Sequence, residues 1–339
     1  MLLSLGLMIV VGLLFAFILA KMKLPALLGF IITGLILGPY GFNLIDVSIL
    51  NISGDLRTFA LVIILLRAGL SLDYRTLVKQ GRPAILLTFL PATVEIIGTV
   101  IVGVFLLKWD LLSSLILGTI IAAVSPAVIV PRMIQLIEEK RGTSKAIPQM
   151  VMAGASADDV FVIVLFYSFI SLSSGGSLNA WTFVSIPLSM ITGVSLGILF
   201  GVLFVILFKK VHMRDTIKVL LIIAVSLLLV GIEPLVKTVL PFSALLSVIA
   251  LGMTILTKYP LLAGRLLKKY EKIWLFAEML LFILVGAAVN LGQSLRLIGW
   301  RLPLILLIIL IFRSIGVYLS LLKTPLTNKE KLFVVFSYL

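Results

Sequence analysis

The chain has no cysteine, a single histidine and few charged side chains, which make up 12% of its 339 residues. Without cysteine, neither disulfides nor thiolate-bound metals can contribute to the structure. His212 lies in a basic loop and is interpreted as a solvated residue. The sequence also lacks the glycine-rich phosphate loop that a nucleotide-driven pump requires. No cofactor is expected.

Apolar residues dominate instead, at 61% of the chain with a mean hydropathy of +1.28. This composition excludes an ordinary soluble domain and predicts an all-α polytopic membrane protein. Long apolar runs predict eleven spans, near residues 1–20, 24–39, 58–72, 84–107, 111–131, 147–172, 182–208, 216–232, 241–257, 273–290 and 302–322. Residues 331–339 begin a twelfth span. A helix that short rises only about 14 Å, so we expect the chain to be truncated at its C-terminal end.

The net charge of +14 could indicate a nucleic-acid partner, but its distribution indicates a membrane topology instead. Loops after odd-numbered spans carry 21 Lys and Arg residues, and loops after even-numbered spans carry 5. The positive-inside rule then places the odd-numbered loops in the cytoplasm and the N-terminus outside the cell membrane. Residues 1–20 lack a basic start and are followed by Lys21 and Lys23, so they are interpreted as a first transmembrane helix rather than a cleaved signal.

An internal repeat relates the two halves of the chain. A shift of about 218 positions carries spans 2, 3 and 4 onto spans 9, 10 and 11. The matches are residues 26–34 with 244–252, Glu95 with Arg313 and, at a shift of 217, Gly69 with Gly286. Because a shift of seven spans is odd, the second copy enters the membrane from the opposite side. Inverted repeats are typical of secondary transporters, whose binding site lies near the membrane midplane.

Two adjacent carboxylates, Asp158 and Asp159, lie within the apolar span 147–172. Each costs about 2.5–3.5 kcal/mol at a helix centre, and such groups usually line an ion or proton pathway. They point about 100° apart around the helix. Two like charges in a partly dry site share their protons as a pair. The pair can hold a proton or, transiently, a metal cation such as Na⁺, but not both. We expect this competition to be the basis for exchanging the cation for a proton.

A helix break is predicted at Ser125-Pro126, inside span 111–131. Proline frees backbone carbonyls at membrane depth, and in transporters such broken helices supply cation ligands. Ser125, the freed carbonyls and the two carboxylates form a hard-oxygen site that suits Na⁺ or Li⁺ and could serve K⁺. The alternative is a simple proline kink.

Other intramembrane charges are assigned structural roles. Glu95 and Arg313 lie mid-span at repeat-equivalent positions, and their mutual pairing would hold the two repeats' core helices together. Direct participation in proton transfer is the alternative. Arg67 and Glu278 lie nearer span ends and are expected at the membrane interface. The small residues before Asp158, including Gly154, should let another backbone approach closely.

With these residues in hand, the sequence resembles the monovalent cation:proton antiporter-2 family, close to its two-aspartate sodium/proton antiporters. The resembling segments are KLPALLGFIITGLILGPYG at 23–41, AAVSPAVIVP at 122–131, GASADDV at 154–160, FILVGAAVNL at 282–291 and KEKLFVVFSYL at 329–339. The resemblance implies an inverted-repeat fold with discontinuous crossed helices. It also implies that Asp159 is the essential carboxylate, that Asp158 is its partner, and that Glu95 and Arg313 form a core charge pair.

The resemblance further implies a homodimer of two-domain protomers, in which a core domain moves past a scaffold in an elevator-like step. Residues 1–55 and 173–257 would form the scaffold. Residues 56–172 would be the first core repeat and 273–339 the second, incomplete one. By the repeat, the counterpart of Ser125-Pro126 would fall at positions 343 and 344, beyond Leu339.

These features predict a secondary antiporter that exchanges Na⁺ or Li⁺ for H⁺ and has membrane lipid, but no nucleic acid, as a partner. A K⁺/H⁺ antiporter of the same fold and a non-transporting sensor or assembly subunit are the alternatives. An enzyme is not expected, because intramembrane aspartyl proteases bring their acids from separate helices, whereas Asp158 and Asp159 are adjacent.

Overall fold

The computed structural model describes residues 1–22, 24–71, 81–123, 129, 132–133, 136–137, 139–173, 180–236, 241–293, 299 and 301–338. This part of the chain contains thirteen α-helices and no strand, so the predicted all-α class is confirmed. The helices are Leu2–Lys21 (α1), Ala26–Leu37 (α2), Val47–Asn51 (α3), Ser53–Ser71 (α4), Arg82–Ile101 (α5), Leu111–Ala122 (α6), Ile147–Ser173 (α7), Ala180–Lys210 (α8), Asp215–Val236 (α9), Ala244–Lys258 (α10), Pro260–Ala287 (α11), Arg301–Ser320 (α12) and Asn328–Ser337 (α13). A π-helical turn, Val102–Leu106, extends α5.

By length and hydropathy alone, five helices in the described residues could cross a membrane. They are Leu2–Lys21, Arg82–Leu106, Ile191–Lys210, Asp215–Val236 and Arg301–Ser320. Three further apolar helices, α2, α6 and α10, have 10–17 residues. The number of eleven complete spans therefore stays a prediction.

The chain divides into two compact units. The first consists of Met1–Ser71 and Thr192–Leu297, and the second of Leu72–Ile191 and Ile298–Leu339. This division differs from the predicted domains, because α4 and α11 group with the first unit although they were assigned to the core domain. The two units are defined by how their residues pack against one another. The assignment of segments to a moving core and a scaffold stays a prediction.

Close crossings at glycine hold the first unit together. A Cβ on Gly34 of α2 would come 2.9 Å from the Gly286 Cα atom of α11. A Cβ on Gly252 of α10 would come 2.9 Å from the Gly69 backbone of α4. The predicted repeat exchanges these two crossings, since it carries Gly34 onto Gly252 and Gly69 onto Gly286. Small residues at such points let helix backbones approach closely.

The second unit contains an equivalent crossing between α5 and α12. A Cβ on Gly98 would come 2.7 Å from the Phe312 Cβ atom, and one on Gly316 would come 2.7 Å from the Pro91 Cα atom. Gly98 and Gly316 are again separated by 218 positions. This crossing brings the middle of α5, with Glu95, against the middle of α12, with Arg313.

The sequence expectation for the start of α11 was wrong. The basic segment after Lys258 was interpreted as a loop and the span was started at residue 273, but the helix begins at Pro260. Proline is favoured in the first helical turn, and Leu262, Leu266 and Tyr270 place apolar side chains on one buried face. Glu278 consequently lies well inside the helix and is buried within the protein, at 6% exposure. Its expected location at the membrane interface stays a prediction.

Candidate functional site

Arg313 lies at the centre of the charged groups in the second unit. Its Nη1 donates a hydrogen bond to Glu95 of α5, and its Nη2 lies 3.2 Å from Oδ2 of Asp158 of α7. All three side chains are buried, with relative exposures of 3%, 2% and 0% for Arg313, Glu95 and Asp158. We call these residues the acid–arginine cluster. It joins three helices, α5, α7 and α12, through one guanidinium.

The same guanidinium also donates hydrogen bonds to two backbone carbonyls. Nη1 donates to the carbonyl of Ala122, the last residue of α6, at 3.1 Å. Carbonyls at a helix C-terminus have no partner within the helix and carry partial negative charge. Nε donates to the carbonyl of Tyr338 at 2.6 Å. Arg313 therefore pairs with two carbonyls and two carboxylates at once.

One oxygen of Asp158 has no such partner. Oδ1 is buried and makes no hydrogen bond within the part of the chain that the structure describes. A buried carboxylate oxygen without a donor is costly, and a site of this kind in a native protein commonly accepts a proton or an ion. The cluster has a formal charge of −1 when both acids are ionised, so a single proton or monovalent cation would neutralise it.

The remaining predicted site residues are placed only in part. Asp159 follows Asp158 on α7, and its side chain lies outside the described part of the structure. Ser125 and Pro126 also lie outside the described residues. The helix before them, α6, ends at Ala122, and Ala123 is already extended.

The structure adds contacts that the sequence analysis missed. It brings Glu95 and Arg313 together, but it also places Asp158 on the same arginine, whereas the sequence assigned Asp158 to the cation. Oδ2 of Asp158 is thus committed to Arg313, and only Oδ1 remains open. Tyr338 belongs to a segment that carried the family resemblance, yet its position gave no signal of a contact with Arg313.

Gly154 has a different neighbour from the one expected. The small residues before Asp158 were predicted to admit another backbone, but Gly154 faces the side chain of Tyr338.

Among the described residues, no group of three His, Cys, Asp or Glu side chains could hold a metal ion. The candidate site is therefore the acid–arginine cluster together with the adjacent Asp159.

The comparisons with known proteins identify the family. The family model described as "Sodium/hydrogen exchanger, transmembrane" matches residues 6–339. Human sodium/hydrogen exchanger 9B1 is 29% identical over 322 residues, which cover 93% of this chain and 61% of that protein. Mouse sodium/hydrogen exchanger 9B2 is 28% identical over 326 residues, covering 93% and 58%. The chain thus spans about three-fifths of the length of these relatives, which are transporters rather than enzymes.

The fold is also similar to that of a solved antiporter. The structure of the sodium proton antiporter MjNhaP1 from Methanocaldococcus jannaschii at pH 8 superposes with a TM-score of 0.84, covering 98% of this chain and 80% of that one. The sequence identity is 20%, so this likeness establishes the fold alone. The predicted membership of a monovalent cation:proton antiporter family is confirmed, and the chain belongs to the transmembrane sodium/hydrogen exchanger family.

Proposed function

We propose that this chain carries the ion site of an antiporter that exchanges Na⁺ or Li⁺ for H⁺, with Asp158 and Asp159 as the exchanging pair. The observation that carries the proposal is the state of Asp158, whose Oδ2 rests on Arg313 while the buried Oδ1 has no partner among the described residues. A negative oxygen kept open beside a second carboxylate is suited to a small cation or a proton.

The two acids take different roles in the proposed mechanism. Arg313 holds Oδ2 of Asp158, so Asp158 supplies its open oxygen, Oδ1, as a fixed ligand for the exchanged ion. Asp159, the next residue on α7, is the carboxylate that exchanges its proton for the cation. A proton on Asp159 removes the charge that the cation needs, and a bound cation excludes the proton. Ser125 and carbonyls freed by Pro126 complete the oxygen cage.

An elevator-like step would carry this site across the membrane. The predicted core segments, 56–172 and 273–339, contain all three residues of the acid–arginine cluster. Segments 1–55 and 173–257 would form the scaffold and the homodimer contact. The predicted repeat carries one glycine crossing of the first unit onto the other, and in the second unit it carries Gly98 onto Gly316. These matches support the inverted-repeat architecture on which such a step depends.

The proposed orientation places the N-terminus outside the cell membrane. Within the second unit, Lys145 lies 2.7 Å from Glu330, so the loops after predicted spans 5 and 11 are on one side. Within the first unit, Arg265 lies 3.2 Å from Asp215, which groups the segments after spans 7 and 9. These are the Lys- and Arg-rich connections that the positive-inside rule assigns to the cytoplasm.

The test is cation-dependent proton movement in proteoliposomes that contain the full-length protein, read with a pH-sensitive dye. Na⁺ and Li⁺ should dissipate an imposed pH gradient, and Asp159→Asn should abolish this response without lowering the melting temperature. Asp55→Asn, an exposed aspartate in the first turn of α4, is the matched control and should retain exchange. Exchange that persists in Asp159→Asn would refute the proposal.

The same assay separates the alternatives. A response to K⁺ but not to Na⁺ or Li⁺ would replace the proposal with a K⁺/H⁺ antiporter. Intact dimers with no response to any of these cations would favour a sensor or assembly subunit.

A further inference from the structure

Two segments of the first unit, residues 209–218 and 258–272, are held together by ion pairs. Nε of Arg265, near the start of α11, lies 3.2 Å from Oδ2 of Asp215, at the start of α9. The other carboxylate oxygen of Asp215 lies 3.3 Å from Nζ of Lys218. One acid therefore joins the start of α9 to the first turns of α11. We call the two segments the basic corner.

Aromatic side chains attach further parts of the basic corner to one another. Nζ of Lys209, at the end of α8, lies 5.5 Å from the centre of the Tyr259 ring, within the range of a cation–π contact. Tyr259 immediately precedes α11. Within α11, the hydroxyl of the buried Tyr270 lies 3.5 Å from the carbonyl oxygen of Val219 in α9. The ends of three helices are therefore gathered at one place in the first unit.

The basic corner carries far more positive than negative charge. It contains nine Lys and Arg residues and two acids. Since Asp215 is bound to Lys218 and Arg265, Glu271 is the one acid of these two segments left to balance the other seven cations. Eight of the nine cations have exposed side chains, and these are Lys209, Lys210, Arg214, Lys258, Arg265, Lys268, Lys269 and Lys272. An anionic partner would complement this surface.

The exposed face at the start of α11 combines cations with an apolar side chain. Leu261, Arg265, Lys268 and Lys272 recur at intervals of four, three and four residues, so they lie along one face of the helix. Leu261 is 81% exposed, and Val211, beside Lys210 at the end of α8, is also exposed. Basic side chains next to exposed apolar ones are typical of helices at a membrane surface, where the apolar groups enter the headgroup region.

We propose that the basic corner binds the headgroups of anionic phospholipids in the cytoplasmic leaflet, with Lys268 and Lys272 contacting the lipid phosphates. The leaflet follows from the proposed orientation. Topology alone asks only for Lys and Arg in the connections on this side of the membrane. It does not require the ion pairs and the cation–π contact that gather these connections, nor the exposed apolar side chains among them. A lipid surface accounts for both features.

The test measures how phosphatidylglycerol stabilises the full-length protein, purified in a neutral detergent. A lipid that binds the folded state raises the melting temperature as its concentration rises. Phosphatidylglycerol should do so, whereas phosphatidylcholine, which has no net charge, should not. In Lys268→Gln/Lys272→Gln, the half-maximal effect should require about thirtyfold more phosphatidylglycerol, because each cation near an anionic surface strengthens binding about fivefold.

Lys323→Gln/Lys329→Gln is the matched control, since it removes two exposed lysines from the second unit on the same predicted side of the membrane. It should respond to phosphatidylglycerol as the wild type does. Lys268→Arg/Lys272→Arg keeps the charge and should also retain the response. An ionic strength of about 1 M, at which charges are screened beyond about 3 Å, should weaken the response of the wild type.

Several outcomes would overturn the inference. They are equal responses of the wild type and Lys268→Gln/Lys272→Gln, an equal loss of response in the control variant, and equal stabilisation by the two lipids. If inorganic phosphate or an oligonucleotide at the same charge concentration stabilises the protein as strongly as phosphatidylglycerol, the basic corner binds soluble anions and the lipid assignment is wrong. The titration involves no transport, so a protein without cation-dependent exchange would refute the proposed function and leave this result unaffected.

Discussion

At the scale of single residues, Arg313 holds together charges that the surrounding helices could not bury separately. Glu95 and Asp158 are almost fully buried, where an uncompensated charge is expensive. One guanidinium serves both carboxylates and two backbone carbonyls. A lysine could supply the charge but not four directed bonds, because its ammonium has three donors on one atom. The cluster therefore depends on arginine specifically.

This arrangement predicts an order of stability among charge variants. Glu95→Gln leaves a neutral pair of Arg313 and Asp158, whereas Arg313→Met leaves two buried carboxylates without a cation. Breaking a buried pair in this way costs about 3–5 kcal/mol. We expect Arg313→Met to lower the melting temperature of the purified protein clearly more than Glu95→Gln does. The control is Arg301→Met, at the exposed start of α12. Equal losses from the two buried variants would contradict this account of the cluster.

The sequence could identify part of this cluster. The repeat relates Glu95 to Arg313, which singles out two costly charges that can compensate each other. It could not show that Asp158 shares the arginine, because two adjacent carboxylates point in different directions and nothing in the sequence says which one faces α12. The carbonyls of Ala122 and Tyr338 carry no side-chain signal at all.

At the scale of helices, the glycine crossings explain why particular pairs pack closely. Gly252 of α10 meets the Gly69 backbone of α4 at a distance that excludes a side chain. Gly231 of α9 is also within a helix, but a Cβ there would meet nothing within 4 Å. Alanine at Gly252 therefore tests the close approach of two helices, whereas alanine at Gly231 tests helix propensity alone.

Alanine substitutions should affect stability differently at these two glycines. Gly252→Ala forces the helices apart, and overpacking of this kind costs about 1–3 kcal/mol. Gly231→Ala should leave the melting temperature unchanged or raise it, since alanine is the better helix former. Thermal unfolding in detergent measures both. A drop for Gly231→Ala as large as that for Gly252→Ala would rule out the crossing as the cause.

The start of α13 predicts a pH-dependent contribution to stability. The Lys145 ammonium and the Thr327 backbone N–H lower the pKa of Glu330 from 4.5 to about 2. Because this pKa is depressed in the folded protein, the contribution is fully present above the ordinary value and is lost as the pH falls from about 4.5 toward 2. The melting temperature of Glu330→Gln should therefore lie below that of the wild type at pH 7, with the gap closing below pH 4.5.

Thr327→Ser, which keeps the capping hydroxyl, serves as the control for this helix start and should resemble the wild type at each pH. A gap for Glu330→Gln that stays constant down to pH 3 would contradict the ion pair and cap as its origin.

Helix boundaries were predictable where apolar runs end at charge. The predicted spans at 84–107, 216–232 and 302–322 lie close to the helices found there. The start of α11 was missed because residues 260–272 are rich in Lys and Arg and so have the composition of a cytoplasmic loop. Its buried face, with Leu262 and Leu266, is too short a pattern to outweigh the neighbouring lysines.

At the scale of the whole molecule, the family and the all-α fold follow from sequence features spread over nearly the entire chain. The orientation depends on fewer observations, chiefly the asymmetric distribution of Lys and Arg. Contacts within each unit show which loops share a side but not which side is cytoplasmic. The N-terminal ammonium, for example, lies 2.7 Å from Asp46 and helps to hold the pKa of that carboxyl well below its usual range.

Single cysteines would determine the orientation, because residues 1–339 contain none. Phe42→Cys lies in an exposed loop predicted outside, and His212→Cys in a loop predicted inside. In intact cells, a membrane-impermeant maleimide should label Phe42→Cys and should reach His212→Cys only after the membrane is opened. The reverse pattern would place the N-terminus in the cytoplasm.

The bonds from Arg313 to the carbonyls of Ala122 and Tyr338 have a mechanical consequence. Both carbonyls bind one flat, rigid and buried group, so pulling the two segments apart would remove hydrogen bonds from a buried cation. During any conformational change, we therefore expect the segments that contain Ala122 and Tyr338 to move together as one rigid body. Hinges for such a change should lie elsewhere in the chain.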